Sequence, residues 1–86
     1  MSEPITIQVK LFAMVREIVG TDELMLTVSG NPATVSQVRA HLLSEYPALL
    51  PVLPFSQIAV NQEVAEDETA IHQGDEVAIL PPVSGG

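Results

Sequence analysis

Alternation of apolar and polar residues with a period of two is the feature that most limits the folds open to this chain. It is clearest over residues 5–11 and 24–28, and it recurs more briefly over residues 58–60, 63–65 and 76–80. A period of two is typical of a β-strand that buries one face. The sequence therefore predicts a sheet of four strands with a short fifth strand at its edge.

Two segments have helical signals instead. Residues 13–19 predict a short helix, which Gly20 closes because glycine suits the left-handed conformation found after a helix. Thr34 followed by Gln37 is a capping box, so a second helix is predicted to begin there and to end before Pro47. Its apolar stripe consists of Val35, Val38, Leu42, Leu43 and Tyr46.

The order of these elements indicates an α+β fold. A chain of 86 residues buries about 60% of the surface that its unfolded form exposes, which is enough for one core. One main helix crossing one face of a mixed, four- to five-stranded sheet buries both apolar faces. This is the ubiquitin-like β-grasp arrangement. We expect the domain over residues 1–82 and an extended, flexible Gly-Gly tail over residues 83–86.

Charge and composition exclude several classes of function. Eleven acidic residues against three basic ones give a formal net charge of −8, which argues against nucleic acids and anionic membranes and favours a basic protein partner. The absence of cysteine excludes disulfides and thiol chemistry. The longest uncharged run, residues 46–62, contains three prolines and predicts no membrane span. No signal peptide is evident, so a cytoplasmic protein is expected.

The body of the domain offers no obvious catalytic group. His41 and His72 are 31 positions apart and predict no shared metal site. The acidic residues at 63 and 66–68 lack the spacing of a calcium loop and are interpreted as a solvated edge. We expect no metal and no cofactor bound by this chain, and no catalysis by it alone.

The C-terminus, in contrast, has a distinctive composition. Two prolines end the last strand and stiffen the chain, and the tail then follows as Pro81, Pro82, Val83, Ser84, Gly85 and Gly86. Two final glycines make a tail thin enough for a narrow tunnel, although a frayed, idle terminus is the plain alternative. The terminal carboxylate is a poor electrophile until another enzyme activates it, for instance with ATP as an acyl-adenylate.

Several segments of the chain resemble the small subunit of molybdopterin synthase, a family of ubiquitin-like sulfur carriers. They are LFAMVREIVG at residues 11–20, AVNQ at 59–62, and GDEVA and PPVSGG within residues 74–86, of which the ending is the most specific. The middle, residues 31–55, resembles the family only in pattern.

The resemblance implies a reaction cycle centred on Gly86. A ubiquitin-activating-like adenylyltransferase would use ATP to adenylate the Gly86 carboxylate, and a persulfide donor would convert it to a thiocarboxylate. The tail would then enter the active site of the large synthase subunit. There the sulfur would attack the cyclic pyranopterin precursor to build the molybdopterin dithiolene. The implied assembly is a heterotetramer of two large and two small subunits.

Two apolar residues, Phe12 and Leu80, lie on the non-core side of their strands' alternation. By resemblance, Phe12, Val64 and Leu80 match a hydrophobic patch that faces the large subunit and the activating enzyme. The alternative is that Phe12 and Leu80 pack under a loop. Pairing of Arg16 with a partner's carboxylate, a local ion pair and a cap of the first helix are equally good interpretations of this residue.

Three other functions remain open at this stage. The chain fits a sulfur carrier for thiamine thiazole synthesis, a ubiquitin-like protein modifier attached to lysines, or a binding module whose tail is idle. The first two would use the same activated terminus, so the sequence separates them from the synthase subunit only through the resemblance.

Overall fold

The computed structural model describes residues 4–30 and 32–82. Within these residues it contains seven strands, two α-helices and two short 3-10 helices. In chain order they are β1 (Pro4–Leu11), α1 (Ala13–Val19), β2 (Glu23–Ser29), β3 (Ala33–Thr34), α2 (Val35–Glu45), the 3-10 helices Pro47–Leu49 and Leu53–Phe55, β4 (Gln57–Val60), β5 (Glu63–Ala65), β6 (Ala70–Ile71) and β7 (Glu76–Leu80). None of the helices in these two ranges has the length and apolarity needed to cross a membrane.

Five strands form one mixed sheet in the order β2-β1-β7-β4-β5. The central strands β1 and β7 are parallel, and the other neighbours are antiparallel. The predicted α+β fold with a mixed sheet is therefore confirmed. The small sheet of β3 and β6 was not anticipated, because strands of two residues carry no readable alternation.

The core lies between one face of the sheet and α2. The alternation of β1 holds as predicted, since Ile5, Ile7, Val9 and Leu11 are all buried. The helix contributes its predicted stripe, of which Val35, Val38 and Leu42 are fully buried while Leu43 and Tyr46 pack at the margin. The proline-broken connection adds Leu49 and Leu53, one from each 3-10 helix.

The predicted end of α1 and the predicted start of α2 are confirmed by their hydrogen bonds. The Thr34 hydroxyl accepts from the Gln37 backbone N–H at 3.3 Å, and the Gln37 side-chain oxygen accepts from the Thr34 N–H at 2.9 Å. At the end of α1, Gly20 has φ of 94° and donates its N–H to the Arg16 carbonyl at 2.8 Å. The left-handed backbone explains glycine at this position.

Arg39 on α2 ties the proline-broken connection to the acidic turn. Its Nη1 donates to the carbonyls of Leu53 at 2.7 Å and Ser56 at 3.0 Å, and its Nη2 lies 3.3 Å from a carboxylate oxygen of Asp67. The predicted acidic turn is exposed, but Asp67 is also an ion-pair partner, which the expectation of a purely solvated edge did not include.

Candidate functional site

The face of the sheet that points away from α2 carries a group of apolar side chains. Residues directly opposite each other on neighbouring strands share a face. The registers pair Leu80 with Gln57, Ala78 with Ala59, and Ala59 with Val64. All five therefore lie on this outer face, opposite the buried Val77 and Ile79 of β7.

Phe12 joins this group from the position directly after β1, the strand next to β7. Leu11 at the end of β1 pairs with Ile79, so Phe12 and Leu80 follow at neighbouring positions. Phe12 lies just beyond β1 and is the N-cap of α1, with an extended backbone. The residue is 43% exposed. This exposure does not fit a ring packed under a loop.

We call Phe12, Val64 and Leu80 the apolar patch. Val64 is 62% exposed, Leu80 is half-buried, and the small side chains of Ala59 and Ala78 lie between them. The structure thus brings the three residues singled out in the sequence onto one surface. The small alanine side chains leave this surface shallow between the edge strand β5 and the strand β7, which leads into the tail.

An ion pair borders the patch on the side of β1. Lys10 Nζ lies 3.0 Å from a carboxylate oxygen of Glu76. The hydrogen bond to Glu76 raises the pKa of Lys10 above its ordinary value of 10.5. Lys10 is also the register partner of Ala78. Glu23 on β2 is the register partner of Lys10 on its other side, so this border of the patch is polar and charged.

The tail begins at the end of β7. Pro81 is half-buried and Pro82 is exposed. The predicted tail residues Val83, Ser84, Gly85 and Gly86 lie outside the described residues, so the structure gives no geometry for the Gly86 carboxylate. What it does place is the root of the tail, directly beside Leu80 of the apolar patch.

A groove of about 500 Å³ opens at this root. It is lined by Phe55, Gln57, Leu80, Pro81 and Pro82. Phe55 is 71% exposed and was not recognised as a functional candidate from the sequence. The available signal was an aromatic residue at the end of a proline-rich connection, just before a strand.

A second groove, of about 460 Å³, lies beside the β4–β5 turn and is lined partly by Asn61, His72 and Asp75. The pKa of the Asp75 carboxyl is lowered, mainly because the His72 backbone N–H donates to it and also because the Asn61 side chain does. These polar groups form hydrogen bonds with one another. We therefore interpret the cluster as one that stabilises the β4–β5 turn and the turn before β7.

The remaining candidates stay apart from one another. His41 Nε2 lies 3.2 Å from a Glu45 oxygen on the same helix, and His72 Nδ1 lies 3.8 Å from an Asp75 oxygen. Within residues 4–30 and 32–82, no three His, Asp or Glu side chains converge as metal ligands would. Arg16 is exposed on α1, and no ion pair to another described residue involves it.

Comparison with known proteins identifies the family. The sequence profile of the ThiS family matches residues 9–86. The chain belongs to the ThiS family. The molybdopterin synthase sulfur carrier subunit of Chlamydomonas reinhardtii is 39% identical over 82 residues, covering 93% of this chain and 98% of that protein. The subunit of the same name in Escherichia coli (strain K12) is 38% identical over 82 residues, covering 93% and 99%.

Solved structures agree with this assignment. SAMP1 from Haloferax volcanii has a TM-score of 0.81 and 32% identity, covering 94% of this chain and 99% of that one. A chain in the complex of subunits 1 and 2 of molybdopterin-converting factor from Helicobacter pylori has a TM-score of 0.68 and covers 95% and 100%; at 24% identity it supports the fold alone. The predicted ubiquitin-like β-grasp fold and the resemblance to molybdopterin synthase small subunits are both confirmed.

Proposed function

We propose that this chain is the sulfur-carrier subunit of a molybdopterin synthase. The observation that carries the proposal is the match to curated subunits of that name, which covers 93% of this chain at 38–39% identity. The family profile also extends to residue 86, so the Gly-Gly ending belongs to the matched region.

The reacting group in this proposal is the terminal carboxylate of Gly86. A ubiquitin-activating-like adenylyltransferase uses ATP to convert it to an acyl-adenylate and releases pyrophosphate. The terminal sulfur of a persulfide donor then displaces AMP to form an acyl disulfide, and a thiol reduces its S–S bond, which leaves a thiocarboxylate. A thiocarboxylate is a soft nucleophile, and holding it inside a partner's site gives it a high effective concentration against the cyclic pyranopterin precursor. The chain brings no ATP-binding loop of its own, so activation is the work of the partner.

The large subunit supplies the active site, and the folded domain presents the tail to it. The tail from Pro81 to Gly86 reaches at most about 20 Å when extended, which suits insertion into a tunnel. The apolar patch of Phe12, Val64 and Leu80 provides the docking surface beside the tail root. A net charge of −8 favours a basic surface on the partner. The family resemblance implies a heterotetramer of two large and two small subunits.

Intact mass of the protein recovered from cells tests the proposal. Replacing one carboxylate oxygen with sulfur adds about 16 Da to a group that is otherwise an ordinary C-terminal carboxylate. A variant with one alanine added after Gly86 should lack this species and should not support molybdopterin formation with the purified large subunit. The same alanine placed before Met1 is the matched control. Molybdopterin formation by the C-terminally extended variant would contradict the proposal.

A second candidate function is that of a protein modifier. SAMP1 is named as a small archaeal modifier protein, and the sequence of the Haloferax volcanii SAMP1 chain is 32% identical to this chain. A modifier would be found joined through Gly86 to lysines of many cellular proteins, whereas a dedicated sulfur carrier would not. A carrier for thiamine thiazole synthesis is distinguished by the product that forms with each candidate partner.

A further inference from the structure

The groove at the root of the tail contains the most exposed large apolar side chain of residues 4–30 and 32–82. Phe55 is 71% exposed, compared with 62% for Val64 and 43% for Phe12 in the apolar patch. Phe55 lines the groove together with Leu80, so the groove and the patch share a residue. The two surfaces are therefore continuous.

The backbone on both sides of Phe55 is fixed. Leu53, at the start of the same 3-10 helix, is fully buried, and the Ser56 hydroxyl donates to the Val52 carbonyl at 2.9 Å. Arg39 donates to the carbonyls of both Leu53 and Ser56. An apolar ring held out on a fixed backbone loses little conformational entropy on binding, which is the property expected of a binding contact.

The lining of the groove is uncharged, and four of its five residues are apolar. Gln57 is its single polar member, and none of the eleven acidic residues of the chain is among its lining residues. A basic side chain would therefore find no counter-charge in this groove. An aliphatic or aromatic side chain would bury its surface against Phe55, Leu80 and the proline rings.

We propose that this groove is a second grip for the protein that accepts the tail, and that it receives an apolar side chain of the large subunit. This inference rests on the proposed function. Pro81 and Pro82 form one wall of the groove and lead directly into the tail, so a partner that encloses the tail passes over them. A second copy of this chain seated there would cover the tail root instead of presenting it.

Serine substitution of Phe55 tests the grip, and Leu50 provides a matched control. Leu50 is 62% exposed in the same proline-broken connection but does not line the groove. We expect Phe55→Ser to weaken binding to the purified large subunit by about tenfold, since aromatic anchors dominate such interfaces. Leu50→Ser should change the dissociation constant by less than about twofold. Both variants should melt at the temperature of the parent, because both side chains are exposed.

Phe55→Ser binding with the parent's affinity would overturn the grip. Val64→Ser, measured in parallel, separates this failure from failure of the proposed docking surface, because Val64 belongs to the apolar patch but does not line the groove. If Val64→Ser loses affinity while Phe55→Ser does not, the docking surface stands and the groove does not; if neither loses affinity, both fail. A dimer of the isolated chain that dissociates in Phe55→Ser, seen by sedimentation velocity, would also overturn the assignment of the large subunit as occupant.

Discussion

Asn61 and Asp75 join two turns of the sheet through their side chains, with the Asn61 Nδ2 donating to a carboxylate oxygen of Asp75 at 3.1 Å. The other Asp75 oxygen accepts the His72 backbone N–H at 2.8 Å, and the Asn61 side-chain oxygen accepts the Glu76 N–H at 3.1 Å. These bonds fix the end of β4 against the start of β7, which is the strand that leads into the tail.

Stability is expected to depend on the ionisation of Asp75. The pKa of its carboxyl is lowered below the ordinary 3.8, chiefly by the hydrogen bond from the His72 N–H. A carboxylate with a lowered folded-state pKa stabilises the fold above its unfolded pKa, and this contribution is lost as the pH falls from about 3.8 through the folded value. Asp75→Asn should therefore lower the free energy of unfolding by about 1 kcal/mol at pH 7. The deficit should shrink as the pH falls below about 3.8, because the parent then loses the same charge.

Urea unfolding of parent and variant at pH 7 and at several values below pH 4 measures this difference. Glu68→Gln removes the same charge from an exposed side chain in the acidic turn and should leave the unfolding free energy unchanged at pH 7. A deficit of Asp75→Asn that stays constant down to pH 2 would contradict the assignment to the ionised carboxylate.

The parts of the fold that could be predicted are those that local sequence determines. The alternation over residues 5–11 specifies which face of β1 is buried, and Thr34 with Gln37 specifies where α2 begins. Both features depend on residues that are close together in the sequence, so a sequence pattern is sufficient to find them.

The parts that escaped prediction depend on contacts between distant residues. Arg39 pairs with Asp67, 28 positions away, and no local pattern announces the pairing. The strands β3 and β6 exist only because two short segments meet in space. Phe55 became a candidate binding residue only because the fold places it in a groove with Leu80. Gly86, in contrast, was identified from composition and resemblance alone.

Arg39 is expected to stabilise the fold through its hydrogen bonds to two backbone carbonyls. Its planar guanidinium reaches Leu53 and Ser56 together, which a lysine ammonium does not reproduce. Arg39→Lys should lower the free energy of unfolding by about 1–2 kcal/mol in urea titrations. Arg16→Lys on the exposed face of α1 should change it by less than about 0.5 kcal/mol. Asp67→Asn removes the mainly exposed ion-pair partner, so a loss as large as that of Arg39→Lys would place the stabilisation in the pair instead.

The capping box of α2 is expected to matter more than the residues beside it. Thr34→Ala removes the hydroxyl that accepts the Gln37 N–H, and loss of such a cap costs about 1 kcal/mol. Ser36→Ala changes a neighbouring exposed hydroxyl for which the described residues show no hydrogen bond, and it should have little effect on stability. Thermal and urea unfolding of the two variants give the comparison. Equal losses would mean that the helix start is held by packing of Val35 rather than by the cap.

Phe12 combines two roles that a single substitution separates. Its backbone caps α1 without any side-chain hydrogen bond, while its ring lies in the apolar patch. Serine is a preferred N-cap, so Phe12→Ser should keep the free energy of unfolding within about 1 kcal/mol of the parent as the new cap offsets the lost ring contacts. Affinity for the large subunit should nevertheless fall by about tenfold, as measured by titration calorimetry. Met25→Ser is the control. Met25 is 64% exposed on the same face but lies beside Gln8, on the far side of β1 from the patch. An equal loss of affinity in both variants would show that general surface hydrophobicity, rather than the patch, drives docking.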